Sequence, residues 1–339
     1  MQDKAEVTFI LPVLNRKGYI QRAIESCLRC ATETVEPKVI VIDGESDDGT
    51  FELLNECYVG EHRVTVIQNR REDGFMDACF LGVSLLETEY ATFMYSDDLL
   101  SPYFYRMIKK ISEDRSLAIA LGYGKQTAEE EVLEFSPIKD FKIVPAEKVI
   151  LSYYGRADLL ESRALPVNPV CCVTRSSVLK EWVANVKGFV ETNRLRQYTI
   201  MQLCGGQDLM IYLTALIKFT NHALLSRSIV AQLTATKQSI TNTGNKEAQL
   251  LVGYWLARIW GFNQLLSDKK YQQAGMCAGY ILIIWFYIMV LKVRKLDLRW
   301  SLEVTREALS VLRKIMRHGQ LFNTLLSAGK CILARHRIT

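Results

Sequence analysis

VIVIDGESDDGT, residues Val39–Thr50, decides the fold. Four consecutive β-branched residues end at Asp43, and a loop of acids and glycines runs to Thr50. A short apolar run bounded by turn residues reads as a strand buried on both faces, as in a parallel sheet. The flanking sequence repeats the unit. Val7–Leu11 reads as a strand stopped by Pro12, and Tyr19–Arg29 as a helix with Ile20, Ala23, Ile24, Cys27 and Leu28 on one face. Thr50–Cys57 is an expected helix with Thr50 as its N-cap, and Val64–Gln68 an expected strand. Gly74–Leu86, Tyr90–Tyr95, Pro102–Glu113 and Leu117–Gly122 continue as helix, strand, helix, strand. This alternation predicts an α/β domain with a mostly parallel sheet flanked by helices on both faces.

The chain has 339 residues, enough for one large α/β domain or two smaller ones. With 49% hydrophobic and 23% charged residues, wholesale disorder is excluded. Seven prolines and nineteen glycines exclude collagen-like architecture, and four histidines argue against a His-rich metal protein. Residues 126–250 are less regular. Asn168–Thr174 reads as a strand, and Ser176–Ala184 and Gln207–Ile217 read as helices. After about Glu247 the pattern is wholly helical.

Nine cysteines are an odd number, and Cys27 and Cys30 form the only CxxC pair. The cysteines read as buried free thiols in a reducing compartment. The apolar run in Met1–Leu14 is too short for the core of a signal peptide, so the chain is expected to start in the cytoplasm.

In an open parallel sheet, ligands bind beyond the carboxyl ends of the strands. Those ends carry Pro12–Arg16, Asp43–Thr50, Asn69–Gly74 and Ser96–Asp98. Asp, Asn and Gly also make ordinary turns, but four strand ends with paired acids after two of them point to a polar site. No GxGxxG follows the first strand and no Walker A sequence occurs, so phosphates are not gripped by a glycine loop. Asp97-Asp98 suits a hard divalent cation, Mg²⁺ or Mn²⁺, which takes one or two carboxylates together with substrate phosphates. Such an ion neutralises a diphosphate leaving group.

Three runs, VTFILPVLN (Val7–Asn15), VIVIDGESDDGT and FMYSDD (Phe93–Asp98), together resemble the family 2 glycosyltransferases of the GT-A fold. The family's Pro-x-x-Asn element, its Asp-led loop after the second strand and its DXD element occur here in order. Asp73–Ala78 looks like the family's segment before the donor-site helix. The resemblance is clear over about residues 5–125 and loose over 165–240. It implies that Asp43 accepts a hydrogen bond from the nucleotide base, and that Pro12 and Asn15 shape the base and ribose pocket. Ser46, Asp73, Asp77 and Ser96 fall in the same donor-binding set. Asp97 and Asp98 would serve ribose contact and metal coordination. Tyr95 replaces the first Asp of DXD, which leaves open which Asp is the ligand.

An inverting transfer also needs a base for the acceptor hydroxyl. In the family this is an Asp in a Glu-Asp-like motif at a helix start. Gly205-Gly206-Gln207-Asp208 matches that placement, with Gln207 for the usual Glu. Asp208 is the expected base and Glu191 the runner-up; a first-turn acid favoured by the helix dipole is the plainer reading. Thr236 stands where the family often has a late His. Lys237, Arg163, Arg175, Arg194 and Arg196 are further phosphate partners to consider.

The net charge of +5 is uneven. Lys292–Thr339 holds eleven Lys/Arg against three Asp/Glu, net +8, and the remainder is −3. Ala274–Leu291 is eighteen residues without a charge, and a basic, amphipathic stretch follows it. Membrane-surface helices with a basic face are expected, with a buried helix or a single span as alternatives.

Together these readings predict a GT-A domain over 1–245, with a nucleotide-binding half (1–125) and an acceptor-binding half (126–245). A helical, basic region over 246–339 follows it. The expected partners are a nucleotide-diphosphate sugar, a saccharide or polyprenyl-linked saccharide acceptor, the cytoplasmic face of a membrane and possible further copies of the chain, with no nucleic acid. A non-catalytic scaffold of the same fold and, more remotely, a nucleotidyltransferase are the other function classes.

Overall fold

The structure is a computed structural model and describes residues 4–129, 131–160, 165, 167–236, 247–292 and 298–335. Along the chain its strands and helices begin with β1 (Ala5–Val13), α1 (Ile20–Leu28), β2 (Val35–Asp43), α2 (Thr50–Tyr58), β3 (Val64–Gln68), α3 (Gly74–Ser84), β4 (Tyr90–Phe93) and β5 (Leu99–Leu100). Next come α4 (Tyr105–Ser112), β6 (Ile119–Ala128), β7 (Phe141–Pro145), α5 (Ala146–Tyr153), β8 (Cys172–Arg175), α6 (Ser176–Val190), α7 (Arg194–Arg196) and α8 (Gln207–Thr214). They end with β9 (His222–Ala235), α9 (Glu247–Ser267), α10 (Tyr271–Tyr287), α11 (Leu298–Arg317) and α12 (Leu321–Arg335).

The chain divides into two compact units. The first holds Met1–Ile143, Pro166–Ala184 and Ala223–Asn242; the second holds Val144–Leu165, Asn185–His222 and Thr243–Thr339. Residues 144–165 and 185–222 fall in one unit with 243–339.

The first unit is built on a sheet of order β3-β2-β1-β4-β8-β6-β9-β5. β1 to β4 are mutually parallel, as the alternation predicts. β8 runs antiparallel to both β4 and β6, so the sheet is mixed beyond β4. The 14-residue β9, parallel to β6, is a strand that the sequence reading does not contain. β1 continues through Pro12 to Val13 rather than stopping there. The Met94 amide donates to Ile10, and the Gly44 amide to Val13, so residue 12 belongs to the β4 side. The β4 ladder has already ended at Ile10, so the missing proline N–H costs no bond.

Side chains alternate across the sheet. Val7, Phe9, Leu11, Val39 and Val41 face α1 and α4, in one core with Ile24, Phe104 and Ile108. Ile40 and Ile42 face the other way and pack on Ala78 of α3. Gly82 lets α3 close on the sheet, because a Cβ there would stand 2.3 Å from an Ile10 methyl. On the same side Trp182 is buried edge-on to Phe80 and Phe93, at 5.6 and 5.5 Å between ring centres.

The second unit is helical. The Trp255 indole donates to the Ile281 carbonyl at 2.9 Å, tying α9 to α10. The Tyr154 hydroxyl donates to the Arg258 carbonyl at 2.7 Å, and the Arg258 guanidinium to the Tyr153 carbonyl at 2.8 Å. Arg196 grips the buried Glu307 of α11 with bonds of 2.7 and 2.8 Å, and Asn193 adds a third at 2.7 Å. A buried carboxylate is tolerable only when its oxygens are satisfied in this way.

Candidate active site

Register brings the expected donor residues to one edge of the first unit. Val13 lies beside Asp43, and Asp43 beside Gln68, so β1, β2 and β3 end level. β4 ends at Phe93 opposite Ile10, and the chain then runs to Asp98 at the same edge.

The first two loops are strapped together. Asp43 is fully buried and accepts from the Ser46 amide at 2.9 Å and the Ser46 hydroxyl at 2.6 Å. Ser46 Oγ in turn accepts from the Asn15 amide at 2.8 Å. The Asn15 side chain donates to Asp47 at 2.8 Å and accepts from the Asp47 amide at 2.9 Å. Asn15 holds φ +54°, a left-handed geometry that Asn tolerates better than most residues. Arg71 donates to Asp47 at 2.7 Å, and with Asn15 it holds that carboxyl below the usual carboxylate range. Gly49 at φ +83°, not Thr50, caps α2. Thr50 is instead the first helical residue, its hydroxyl bonded to Asp48 and accepting from the Arg16 amide.

The third loop supplies Asp73, which accepts from Arg70 at 3.1 and 3.3 Å, and the exposed Asp77 in the first turn of α3. Phe75 lies 6.2 Å from Tyr95, the residue in place of the first DXD acid.

The paired acids after β4 are not equivalent. Asp98 turns inward, only 4% exposed, and accepts from the Thr234 amide at 2.9 Å. Burial, with the negative Asp97 beside it, pushes its carboxyl up to about 8, against the Thr234 amide and the Asn168 side chain. Asp97 is half-buried and accepts from the Thr236 hydroxyl at 3.4 Å, while Arg22 bonds the Asp97 carbonyl at 3.3 Å. Ser96 is buried beside them. Among the described residues no group of three or more His, Cys, Asp and Glu is arranged to hold a metal ion. The donor set available to a cation here is a carboxylate plus whatever a substrate brings.

Asp208 belongs to the second unit. Gly206, at φ +88°, caps α8, and Gln207 and Asp208 open the helix in buried positions. The turn presses against α9: a Cβ on Gly206 would stand 2.4 Å from the Gly253 carbonyl oxygen, and one on Gly253 would stand 2.4 Å from the Gly205 oxygen. Three glycines therefore let two backbones touch where side chains would hold them apart. The next residue, Tyr254, donates its hydroxyl to the Asp208 carboxylate. Burial first, and the negative Asp208 second, raise the Tyr254 phenol well above its ordinary value.

Of the other residues considered, Glu191 is exposed. Arg175 pairs with Glu89 and bonds the Leu117 carbonyl, and Arg196 is committed to Glu307. Lys237 and Arg163 lie outside the described residues. Arg22, Asn168, Thr234 and Tyr254 are site neighbours that the sequence reading missed. Each meets its acid across more than 40 positions of sequence, and no local motif marks such a contact. All nine cysteines are free thiols, with Cys57 exposed and Cys204 half-buried.

Comparison with known proteins follows the same geometry. The sequence profile of Glycosyl transferase family 2 matches residues 8–182. Glycosyltransferase GlyG of Streptococcus pneumoniae is 22% identical over 116 residues, 34% of this chain and 38% of that protein. The match thus spans about two fifths of that relative's length. The poly(ribitol-phosphate) β-N-acetylglucosaminyltransferase TarP of Staphylococcus aureus is 23% identical over 244 residues, 69% of this chain and 71% of TarP. Among solved structures, S. aureus TarS 1–349 in complex with UDP-GlcNAc superposes with a TM-score of 0.57 at 14% identity, over 92% of this chain and 81% of that one. That likeness establishes a mixed α/β sheet with flanking helices and a C-terminal helical region, the GT-A type of fold.

Proposed function

The chain belongs to glycosyl transferase family 2, and from that premise we propose that it transfers a sugar from a nucleoside-diphosphate donor to a hydroxyl of a saccharide or lipid-linked saccharide, with inversion. The observation that carries this reading is the gathering of Asn15, Asp43, Ser46 and Asp97 at the carboxyl edge of parallel strands. TarS was solved with UDP-GlcNAc and TarP is named for N-acetylglucosamine transfer, so UDP-GlcNAc is the first donor to test.

In this reading the first unit binds the donor. The strapped loops after β1 and β2 fix the walls for base and ribose before the donor arrives, which lowers the ordering cost of binding. Asp208 takes the proton from the acceptor hydroxyl as its oxygen attacks the anomeric carbon and the bond to the diphosphate breaks. Tyr254 holds the base in place.

The residues present fit a Mg²⁺ or Mn²⁺ ion shared with the donor. Asp97 is the carboxylate that would hold it, while the inward Asp98, bonded to Thr234, fits a structural role. When bound, the ion supplies positive charge against the departing diphosphate. The division into donor and acceptor parts, and attachment of the basic tail to the cytoplasmic face of a membrane, belong to the same proposal.

The test is thermal stabilisation of the full chain by UDP-, GDP-, dTDP- and CMP-sugars, with and without Mn²⁺. A ligand that binds only the folded state raises the melting temperature by mass action. A metal-dependent shift with one nucleotide class, absent in Asp97→Asn, is expected. No shift with any donor, together with no nucleoside diphosphate released in the presence of acceptors, would overturn the reading.

A further inference from the structure

Helix α12 is built the wrong way round for a helix in water. Its inward positions are small and polar: Thr324 and Ser327 are buried. The Thr324 hydroxyl donates to the Gly275 carbonyl at 3.1 Å, and the Ser327 hydroxyl to the Met276 carbonyl at 2.7 Å. Gly275 and Gly279, four residues apart on α10, let the backbones close. A Cβ on Gly279 would stand 2.6 Å from the Thr324 carbonyl oxygen and 2.9 Å from the Ala328 amide. The large apolar side chains point outward instead: Leu321, Phe322, Leu325 and Leu326 are 50%, 75%, 63% and 47% exposed.

A water-soluble helix puts its leucines in the seam and its hydroxyls outside. A seam of glycine, serine and threonine with an apolar outer face is how helices pack in lipid, where leucine gains nothing by facing another helix. The partner helix agrees with this. An eighteen-residue window within Tyr271–Val290 has mean hydropathy 1.7; 44% of it is buried against the protein, and Phe286 and Val290 are exposed.

Charge identifies the occupant. On α11 the exposed positions Leu302, Arg306, Leu309, Arg313 and Met316 fall at alternating steps of four and three, so they form one stripe of apolar and basic residues. Arg299, Arg317 and Lys330 are exposed as well. The two acids of α11 are already answered: Glu307 is buried against Arg196, and Glu303 pairs with Arg306. An apolar face among arginines matches the boundary between anionic headgroups and acyl chains. A second copy of the chain would bring the same arginines against one another.

We propose that the outward faces of α11 and α12, with the exposed end of α10, form a docking surface for an anionic lipid bilayer. The charge-free stretch of α12 lies between Arg317 and the exposed Lys330, well short of the roughly 20 apolar residues a spanning helix needs. The helix therefore lies in the interface and does not cross it. The inference rests on the membrane attachment within the proposed function and names the surface responsible; it is independent of donor chemistry.

The test is flotation of the full chain with phosphatidylcholine vesicles, with and without phosphatidylglycerol, at low and high salt. The wild type is expected to float with the anionic vesicles, roughly tenfold more weakly with neutral ones, and less at high salt. Phe322→Glu with Leu325→Glu should abolish flotation while leaving the donor-induced thermal shift. Arg313→Ser with Arg317→Ser should weaken the preference for the anionic lipid. If the glutamate variant does not fold, Phe322→Trp reports the same contact through quenching by brominated acyl chains beyond that of the wild type. No flotation of the wild type, or no extra quenching, overturns the proposal. So does a dimer in sedimentation equilibrium that the glutamate variant dissociates without any vesicle binding, since the face would then belong to a second copy. A donor shift that survives loss of flotation leaves the transferase reading untouched.

Discussion

Tyr254 donates its hydroxyl to Asp208, and the two are brought together because Gly253, the residue before the tyrosine, lies backbone to backbone against Gly205 and Gly206. A helix that the sequence reading assigns to the C-terminal helical region therefore supplies part of the setting of the proposed base. Because burial and Asp208 raise the phenol well above its ordinary value, Tyr254 stays protonated and donating throughout the neutral range.

Replacing Asp208 by Asn removes the group proposed to accept the acceptor proton and leaves the side chain's shape. Turnover should fall by at least about a hundredfold, the lower end of general-base contributions. Donor-induced stabilisation should persist, because Asp208 lies outside the unit that carries the donor edge. Measuring transfer rate and thermal shift on the same preparation checks both halves. Unchanged turnover would remove Asp208 from the chemistry and leave Glu191 to be examined.

Tyr254→Phe keeps the ring and deletes the hydrogen bond. A bond to a charged group contributes about 1.5–3 kcal/mol, so kcat should drop roughly tenfold or more while KM for the donor stays within about twofold. Losing the donated hydrogen bond disfavours the carboxylate form, so the acid limb of the rate profile should move to higher pH. A variant with lower stability but an unmoved pH profile would make Tyr254 a packing residue only.

The sequence made part of this legible for a physical reason. β1, β2 and β4 are central and covered on both faces, so their carboxyl halves read as mostly apolar runs, and the polar residues that follow them stand out. β9 is different. Its sequence HALLSRSIVAQLTA is interrupted by serines and an arginine, and its pairing with β6 shifts register between Leu121 and Gly124. The apolar run at Val170–Val173 marks a strand but carries no information about direction, so the antiparallel pairing of β8 is not legible in it. The same holds for the site: Asp97 and Asp98 look alike in sequence, and only β9 and Asn168 distinguish them, through contacts far along the chain.

That distinction predicts opposite behaviour for the two acids. Asp97→Asn should abolish the Mn²⁺-dependent part of the donor shift and leave the apo melting temperature within a few degrees, since the side chain is half-buried. Asp98→Asn retains an oxygen for the Thr234 amide and should keep donor binding. Asp98→Ala leaves that buried amide unanswered and should cost about 1–3 kcal/mol of stability. Paired melts with and without Mn²⁺ and donor check all three. A donor shift lost in Asp98→Asn at unchanged stability would make Asp98 the ligand instead.

Gly206 and Gly253 carry the last prediction, because they separate support of the base from the base itself. Alanine at 206 must adopt φ near +88° and meets the Gly253 carbonyl oxygen at 2.4 Å; alanine at 253 meets the Gly205 oxygen at the same distance. Neither obstacle is the end of a flexible side chain, so α9 must shift away from the turn. Each change should cost about 1–3 kcal/mol and lower the melting temperature by several degrees. Each should also reproduce the kinetic signature of Tyr254→Phe, because moving α9 withdraws the Tyr254 hydroxyl. Adding Gly253→Ala to Tyr254→Phe should then lower kcat by less than the product of the two single effects, as expected for residues acting through one contact. Full multiplicativity would show that the glycine contact and the Tyr254–Asp208 bond serve different ends.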